Sequence, residues 1–282
     1  MPRHLVWIVV VLSAAACDHA SRQATPAGPS SPAAPTRSNS VWIVSGADGS
    51  PVRDAAVVIE GQAYRSDDNG QVTVAAPPGA WAIDVEAAGF LPRRTTTAVN
   101  QIIALWPVAN EAEAQAVRQM VYQRGGALDG VLYPPDSGPF YITIDPAYLS
   151  DLTVSNAWRR GGTEFGATFG LQFQLSSHFQ YETNEIAVNF ADAGAMACAP
   201  VPGWGFCRSS PSYKQFALPP RLSADPVTIR RVLASWFLGP NPQPGLLAPD
   251  APADTLSPLE LQTIRMILQR TLKNRWPDDD RW

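Results

Sequence analysis

The stretch that decides the fold of the second half of this chain is DPVTIRRVLASWFLGP, residues 225–240. Asp225 is a favourable N-cap and Pro226 suits the first helical position, so we predict that a helix begins here. Its apolar residues recur at intervals of three and four and form one continuous stripe: Ile229, Val232, Leu233, Trp236 and Phe237. Gly239 and Pro240 end the helix. The stretch therefore predicts a helix whose apolar face packs into a core.

Two more helices are predicted, one before and one after this stretch. Asn110 is the N-cap of the first, which carries acidic residues in its first turn and ends at Gly125. The other is SPLELQTIRMILQRTLKNR, residues 257–275, which opens with a capping box of Ser257 and Glu260. Its predicted buried face consists of Leu261, Ile264, Ile267, Leu268 and Leu272.

Strands are predicted between the first two helices. FYITID, residues 140–145, alternates in polarity, and NEIAVNFAD, residues 184–192, is a second strand. The glycine-rich segment between them, residues 161–175, is interpreted as β-rich. The order helix, strands, loop, helix, helix predicts an α+β domain over residues 109–282.

Residues 41–108 have a different pattern. Five short β-type segments, VWIVSG, AAVVIEG, QVTVAA, AWAIDVEAAGF and IIALW, alternate with turn clusters such as SDDNG. Strands of this length and spacing predict a small antiparallel β-sandwich. In SDDNG, Asn69 or Gly70 is expected to take a positive φ.

The order and spacing of these turns resemble the carboxypeptidase regulatory-like domain, a transthyretin-like sandwich. The cues are a turn with Gly49 and Pro51, a D-x-x-G turn at 67–70, the Pro78-Gly79 turn and the Ala-Gly-Phe at 88–90. The resemblance implies an accessory folding, spacing or binding module that does not itself catalyse.

The N-terminus predicts export. Residues 1–16 combine Arg3 with an apolar run that is too short to span a bilayer and has the length of a signal-peptide core. The AAAC at residues 14–17 resembles the processing site of a bacterial lipoprotein precursor, which implies lipidation of Cys17. Ordinary cleavage after Ala16 is the alternative. The expected product is anchored by its lipid in the cell envelope and faces the periplasm, with inner or outer membrane left open, whereas ordinary cleavage would release a soluble protein.

Residues 17–40 are expected to form a flexible tether, because Ala, Ser, Pro and Thr dominate and the segment has no apolar period. The whole chain carries a formal net charge of −4 and no Lys/Arg run longer than a pair. Nucleic acid is therefore excluded as a partner, because its binding needs a concentrated basic surface. The expected partners are the membrane, through the lipid, and an envelope peptide, protein or glycan.

Three cysteines occur in the chain. With Cys17 assigned to the lipid, Cys198 and Cys207 remain, and in an oxidising periplasm they are expected to form a disulfide. Closing a loop of ~10 residues contributes roughly 2–3 kcal/mol. Two buried thiols are the alternative, and a metal site is disfavoured because neighbouring ligands are missing.

The second half also resembles secreted metallopeptidases of the metzincin-like branch, in which an edge strand, a cysteine-bearing loop, a His-Glu-x-x-His-x-Leu-Gly helix and a Ser-Pro helix follow one another. Matching Leu238-Gly239 to the family's Leu-Gly places the ligand positions at Val232 and Trp236 and the general base at Leu233. None offers the donor that zinc or its activated water needs. We therefore expect no metal, no other cofactor and an inactive peptidase-like domain.

Such a domain implies a binding or scaffolding role. An extended peptide is expected to add to the edge strand of residues 185–190, at Glu185, Ile186, Val188 and Phe190.

Two alternatives remain open. The first is a hydrolase that uses an unrecognised pair of carboxylates, drawn from Glu164, Glu182, Glu185 and Asp192. His178, the lone histidine of the folded part, lacks a nucleophile elbow beside it. The second is a glycan- or peptidoglycan-binding module that uses Trp42, Trp81 and Trp106 as a stacking face, although aromatic residues in so small a sandwich commonly belong to the core.

Overall fold

The computed structural model describes residues 39–74, 80–98, 101–125, 138–178, 185–191, 199–200, 204, 206–210, 215–250 and 253–268. A β-rich region is followed by a mixed region of helices and one larger sheet, each with its own cluster of buried apolar residues. This composition confirms the expected combination of a β-rich and an α+β architecture. No helix in the described ranges is long and apolar enough to cross a bilayer.

In the part of the β-rich region that the structure describes, seven strands form two sheets of order β4-β1-β7 and β3-β2-β5-β6. They are β1 (Asn39–Ser45), β2 (Ala56–Ile59), β3 (Gln62–Arg65), β4 (Gln71–Val74), β5 (Ala80–Glu86), β6 (Arg93–Ala98) and β7 (Ile102–Leu105). The five predicted segments are confirmed as β1, β2, β4, β5 and β7, whereas β3 and β6 were missed.

Two details of the β-rich region differ from expectation. The pairing of β1 with β7 is parallel, so the region is not wholly antiparallel. β1 also begins at Asn39, inside the segment predicted as tether, because Asn39 and Ser40 pair with Val74 and Thr73.

The D-x-x-G turn has the predicted geometry. Asp67 Oδ1 accepts hydrogen bonds from the backbone N–H of Asn69 at 2.9 Å and of Gln71 at 2.8 Å. Gly70 has φ +71°, and a Cβ there would lie 2.3 Å from the carbonyl oxygen of Ile43. Glycine is required on both counts, conformation and close approach.

The described residues of the mixed region form six strands and five α-helices. The strands are β8 (Phe140–Ile144), β9 (Phe173–Ser176), β10 (Glu185–Phe190), β11 (Ala199–Pro200), β12 (Cys207–Ser210) and β13 (Gln215–Leu218). The helices are α1 (Glu111–Gly125), α2 (Pro146–Leu149), α3 (Leu152–Phe169), α4 (Pro226–Phe237) and α5 (Pro258–Leu268). The sheet has the order β11-β12-β13-β10-β8-β9. Its β9, β8, β10 and β13 run parallel, and β11 and β12 form an antiparallel edge.

The glycine-rich segment was wrongly interpreted as β-rich, because most of it belongs to α3. Asp151 caps α3 by accepting from the backbone N–H of Thr153 at 2.8 Å. A Cβ at Gly161 would lie 2.5 Å from Ile229 Cγ2, and one at Gly166 would lie 2.4 Å from the carbonyl oxygen of Leu171. These glycines therefore let α3 approach its neighbours closely, and they do not mark breaks between strands.

The interpretation of residues 185–190 as an edge strand was also wrong. β10 pairs in parallel with β8 on one side and with β13 on the other. Its Glu185, Ile186 and Val188 are at most 3 % exposed, and Phe190 packs on Tyr148 with ring centroids 4.4 Å apart. Because both sides of the strand are paired, a peptide cannot add to it by β-addition.

The three predicted helices are confirmed as α1, α4 and α5, with the expected caps. The backbone N–H of Glu113 donates to Asn110 Oδ1 at 3.0 Å, and that of Thr228 donates to Asp225 Oδ2 at 2.7 Å. The predicted part of the last helix beyond Leu268 lies outside the described residues.

The β-rich and mixed regions are joined by direct contacts. The N–H of Leu91 donates to the carbonyl of Trp106 at 2.8 Å, Phe90 bridges Pro107, and the Gln262 side chain of α5 donates to the Pro107 carbonyl. Leu91 and Trp106 belong to the apolar core of the mixed region. The connecting segment, residues 106–108, is therefore held by contacts with both regions.

Candidate functional site

The predicted metal-ligand positions lie on the buried face of α4. Val232, Leu233 and Trp236 are each 0 % exposed and belong to the core of the mixed region. The Trp236 ring meets Phe140 edge-on, with centroids 4.9 Å apart, and its Nε1–H donates to the carbonyl of Glu185 at 3.2 Å. The helix of the opening stretch is thus a core element, as its apolar stripe predicts. In the described ranges, no three His, Cys, Asp or Glu side chains group as metal ligands.

The loop that follows α4 is fixed by a buried carboxylate. Glu260 of α5 is 0 % exposed, and its two oxygens accept four hydrogen bonds of 2.7–3.1 Å. The donors are the backbone N–H groups of Leu246, Leu247 and Ser257 and the Asn241 side-chain amide. Gly245 lies against this carboxylate, since a Cβ there would be 2.6 Å from Oε1. The capping box of Ser257 and Glu260 is confirmed, whereas no local sequence pattern indicates the bonds from Glu260 to the loop.

A crevice with a cavity volume of about 380 Å³ opens at the carboxyl ends of β8, β9 and β10, beside the start of β13. In open α/β sheets this end is where ligands commonly bind. The polar and small residues that line it are Thr143, Asp145, Ser177, Ala187, Asn189 and Gln215.

Strand register explains why residues so distant in sequence meet in the crevice. Thr143 is the partner of Ala187 in β10, and Ala187 is the partner of Gln215 in β13. The alternate residues Ile142 and Ile186 pack in the core with the helices. Since side chains alternate along a strand, the row of Thr143 lies on the opposite sheet face.

Thr143 is oriented by a buried carboxylate. Its Oγ1–H donates to Glu185 Oε1, and Glu185 is 3 % exposed. The hydroxyl proton is therefore directed to Glu185, so Thr143 offers acceptor lone pairs to the crevice. The sequence gives only a weak indication of this site. Polar residues stand near the ends of two apolar strands: Thr143 and Asp145 at the end of β8, and Asn189 at the end of β10.

The carboxylates considered for hydrolysis are not brought together among the described residues. Glu164 is exposed on α3, Glu185 is buried in β10, and Glu182 and Asp192 lie outside the described ranges. His178 is exposed after β9, and its Nδ1 lies 2.9 Å from the Ser177 hydroxyl oxygen.

The three sandwich tryptophans do not form one stacking face. Trp81 is 3 % exposed in the core of the β-rich region, and Trp106 is 5 % exposed in the core of the mixed region. Trp42 is half-buried on β1. Two of the three rings therefore cannot present a face to a sugar.

Cys207 at the start of β12 is buried and disulfide-bonded. Cys17 and Cys198 lie outside the described residues, so lipidation of Cys17 and the pairing of Cys198 with Cys207 stay predictions.

Comparison with known proteins does not assign this chain to a family. No family model matches the sequence, and no curated protein matches it.

Proposed function

We propose that this chain is a lipid-anchored protein of the cell envelope whose folded part binds or scaffolds a partner without hydrolysing it. In this proposal a transthyretin-like accessory domain precedes a peptidase-like domain without metal ligands. The observation that carries the proposal is the complete burial of Val232, Leu233 and Trp236 on α4.

The order of elements supports the peptidase-like part of the proposal. β10 is followed by the hairpin of β11 and β12 with Cys207, then by β13 and α4, and finally by α5 with its Ser257-Pro258 start. The resembled metallopeptidases have a strand, a cysteine-bearing loop, the ligand helix and a Ser-Pro helix in this order. The departures are β13, which lies between the hairpin and α4, and β10, which is central in the sheet where the resemblance implied an edge.

The burial of α4 supports a role without catalysis. A hydrolytic zinc needs at least three protein donors and an open position for water. At the positions that the resemblance assigns to the zinc ligands and the general base, two aliphatic side chains and an indole pack among core residues. A substrate therefore cannot reach this face of α4 unless the core opens.

Zinc titration of the mature chain tests the absence of catalysis. We expect no stoichiometric zinc binding by calorimetry and no cleavage of a mixture of fluorogenic peptides, with an active His-Glu-x-x-His peptidase as the positive control. Zinc-dependent cleavage that a chelator abolishes would overturn the proposal. Cleavage without zinc would favour the carboxylate hydrolase, which Glu185 could not serve directly because it is buried.

Lipid attachment is tested in cells at Cys17. We expect radiolabelled palmitate to enter the wild-type protein but not Cys17→Ser, which has no thiol to acylate. The Cys17→Ser protein should also move from the membrane fraction to the soluble fraction. Equal labelling of both proteins would contradict anchoring through Cys17. A wild-type protein that is unlabelled and soluble would instead support ordinary signal cleavage after Ala16.

A further inference from the structure

We propose that the crevice at the carboxyl ends of β8 and β10 binds an aliphatic primary ammonium group, from a peptide amino terminus or a lysine-type side chain. This inference rests on the proposed function in treating the chain as a binding protein, and it supplies the site and the ligand chemistry.

The Thr143 hydroxyl determines which kind of ligand atom can lie against it. Its proton is donated to Glu185, and Thr143 lines the crevice, so toward a ligand its oxygen can act as an acceptor. A ligand atom placed against it must therefore carry a hydrogen-bond donor. An ammonium group carries three donors and no acceptor, which matches this requirement.

Asp145 supplies the charge. It follows Thr143 by two residues, directly after β8 ends at Ile144, so the alternation of side chains places both on the same side of the sheet. The Asp145 carboxylate is exposed, and its Oδ1 accepts from the N–H of Ala147 at 2.8 Å. Its remaining lone pairs can accept charge-assisted hydrogen bonds from a cation.

Asn189 provides a third acceptor from the neighbouring strand. Ala187 pairs with Thr143 in the sheet. Asn189 lies two residues after Ala187, and Asp145 lies two residues after Thr143. Asn189 and Asp145 thus lie side by side across strands roughly 4.8 Å apart. Three acceptors from two strands can meet the three N–H bonds of one ammonium group.

The other crevice residues favour an aliphatic stem and disfavour an anion. Pro146 and Ala187 contribute apolar lining beside the acceptors, which suits methylene groups. Among the described lining residues Asp145 is the charged one, so the charge that they present favours a cation. A cavity of about 380 Å³ lies at the small end of ligand sites, which suits the end of a chain or a small molecule.

The experiment is an amide chemical-shift titration of the mature chain with three peptides. One probe is tri-alanine amide with a free amino terminus. The second is acetyl-Ala-Lys-Ala-amide, in which only the side-chain amine is free. The third is acetyl-tri-alanine-amide, which has no ammonium group. We expect saturable shifts at crevice amides with one or both of the first two probes, which identifies the source, and none with the third.

Variants assign the binding to the crevice. Asp145→Asn keeps an N-cap but removes the charge, and we expect about tenfold weaker binding. Asp151→Asn is the matched control: it also changes a capping aspartate, that of α3, but lies outside the crevice, and it should bind as wild type. Asn189→Ala is the second variant, with weaker binding expected, should Asp145→Asn lower the melting temperature.

The inference is overturned if no ammonium probe binds, if the capped peptide binds equally, or if the crevice variants bind as wild type. These outcomes are separable from those of the zinc and cleavage assays. A non-hydrolytic protein that ignores all three probes would retain the proposed function and refute only the ammonium site.

Discussion

Replacing Glu260 by alanine is expected to lower the free energy of unfolding by about 3–5 kcal/mol, because it removes the acceptor of four buried or part-buried donors. The N–H groups of Leu246 and Leu247 would be left without their partner in the loop after α4. The side chain is 0 % exposed, so its removal also leaves a cavity beside Gly245. Urea unfolding followed by far-ultraviolet circular dichroism measures the change.

Two variants separate the possible causes of this loss. Glu260→Gln keeps the shape but places an NH₂ group among donors, so we expect a smaller loss of about 2–3 kcal/mol. Glu164→Ala is the matched control on an exposed helix surface and should change stability by less than about 0.5 kcal/mol. A Glu260→Ala protein as stable as the Glu164→Ala control would show that the carboxylate does not fix the loop.

Replacing Trp236 by alanine is expected to cost about 3–5 kcal/mol. The ring is fully buried and makes edge contacts with Phe140 and Phe237 at 4.9 and 4.7 Å between centroids. Its indole N–H donates to the Glu185 carbonyl, which ties α4 to β10. Because small domains are stable by only about 5–15 kcal/mol, this loss approaches the whole stability.

The controls for Trp236 test ring packing and hydrogen bonding separately. Trp236→Phe keeps an aromatic ring but not the N–H, and we expect a loss of about 1–2 kcal/mol. Trp42→Ala removes a half-buried tryptophan and should cost less than Trp236→Ala. A Trp236→Ala protein within about 1 kcal/mol of wild type would mean that this face of α4 is not core. The proposed absence of a catalytic centre would then lose its main support.

The helices with clear caps could be predicted from the sequence because their signals are local. Asp225, Asn110 and Ser257 each precede a helix at the expected position. The buried stripe of α4 was also predicted correctly, since its period of three and four is explicit in the sequence. The β-rich region was recognised for the same reason: its strands alternate in polarity and end at turn residues.

What could not be predicted depends on partners that are distant along the chain. α3 was missed because Gly161 is needed for the close packing of α3 against Ile229, a contact that no local sequence pattern reveals. β10 was taken for an edge strand, yet its nearly continuous burial is typical of a central parallel strand. The crevice was missed because Thr143, Asn189 and Gln215 meet only through the register of three strands.

Because Leu91 and Trp106 pack in the core of the mixed region, the β-rich region is not expected to fold as an independent domain. Cutting the chain after residue 108 would expose apolar surface on both fragments. The exposed groups would include the Trp106 indole, against which Gly46 lies closely. A ligand bound to one of the two regions is therefore expected to keep a fixed position relative to the other region.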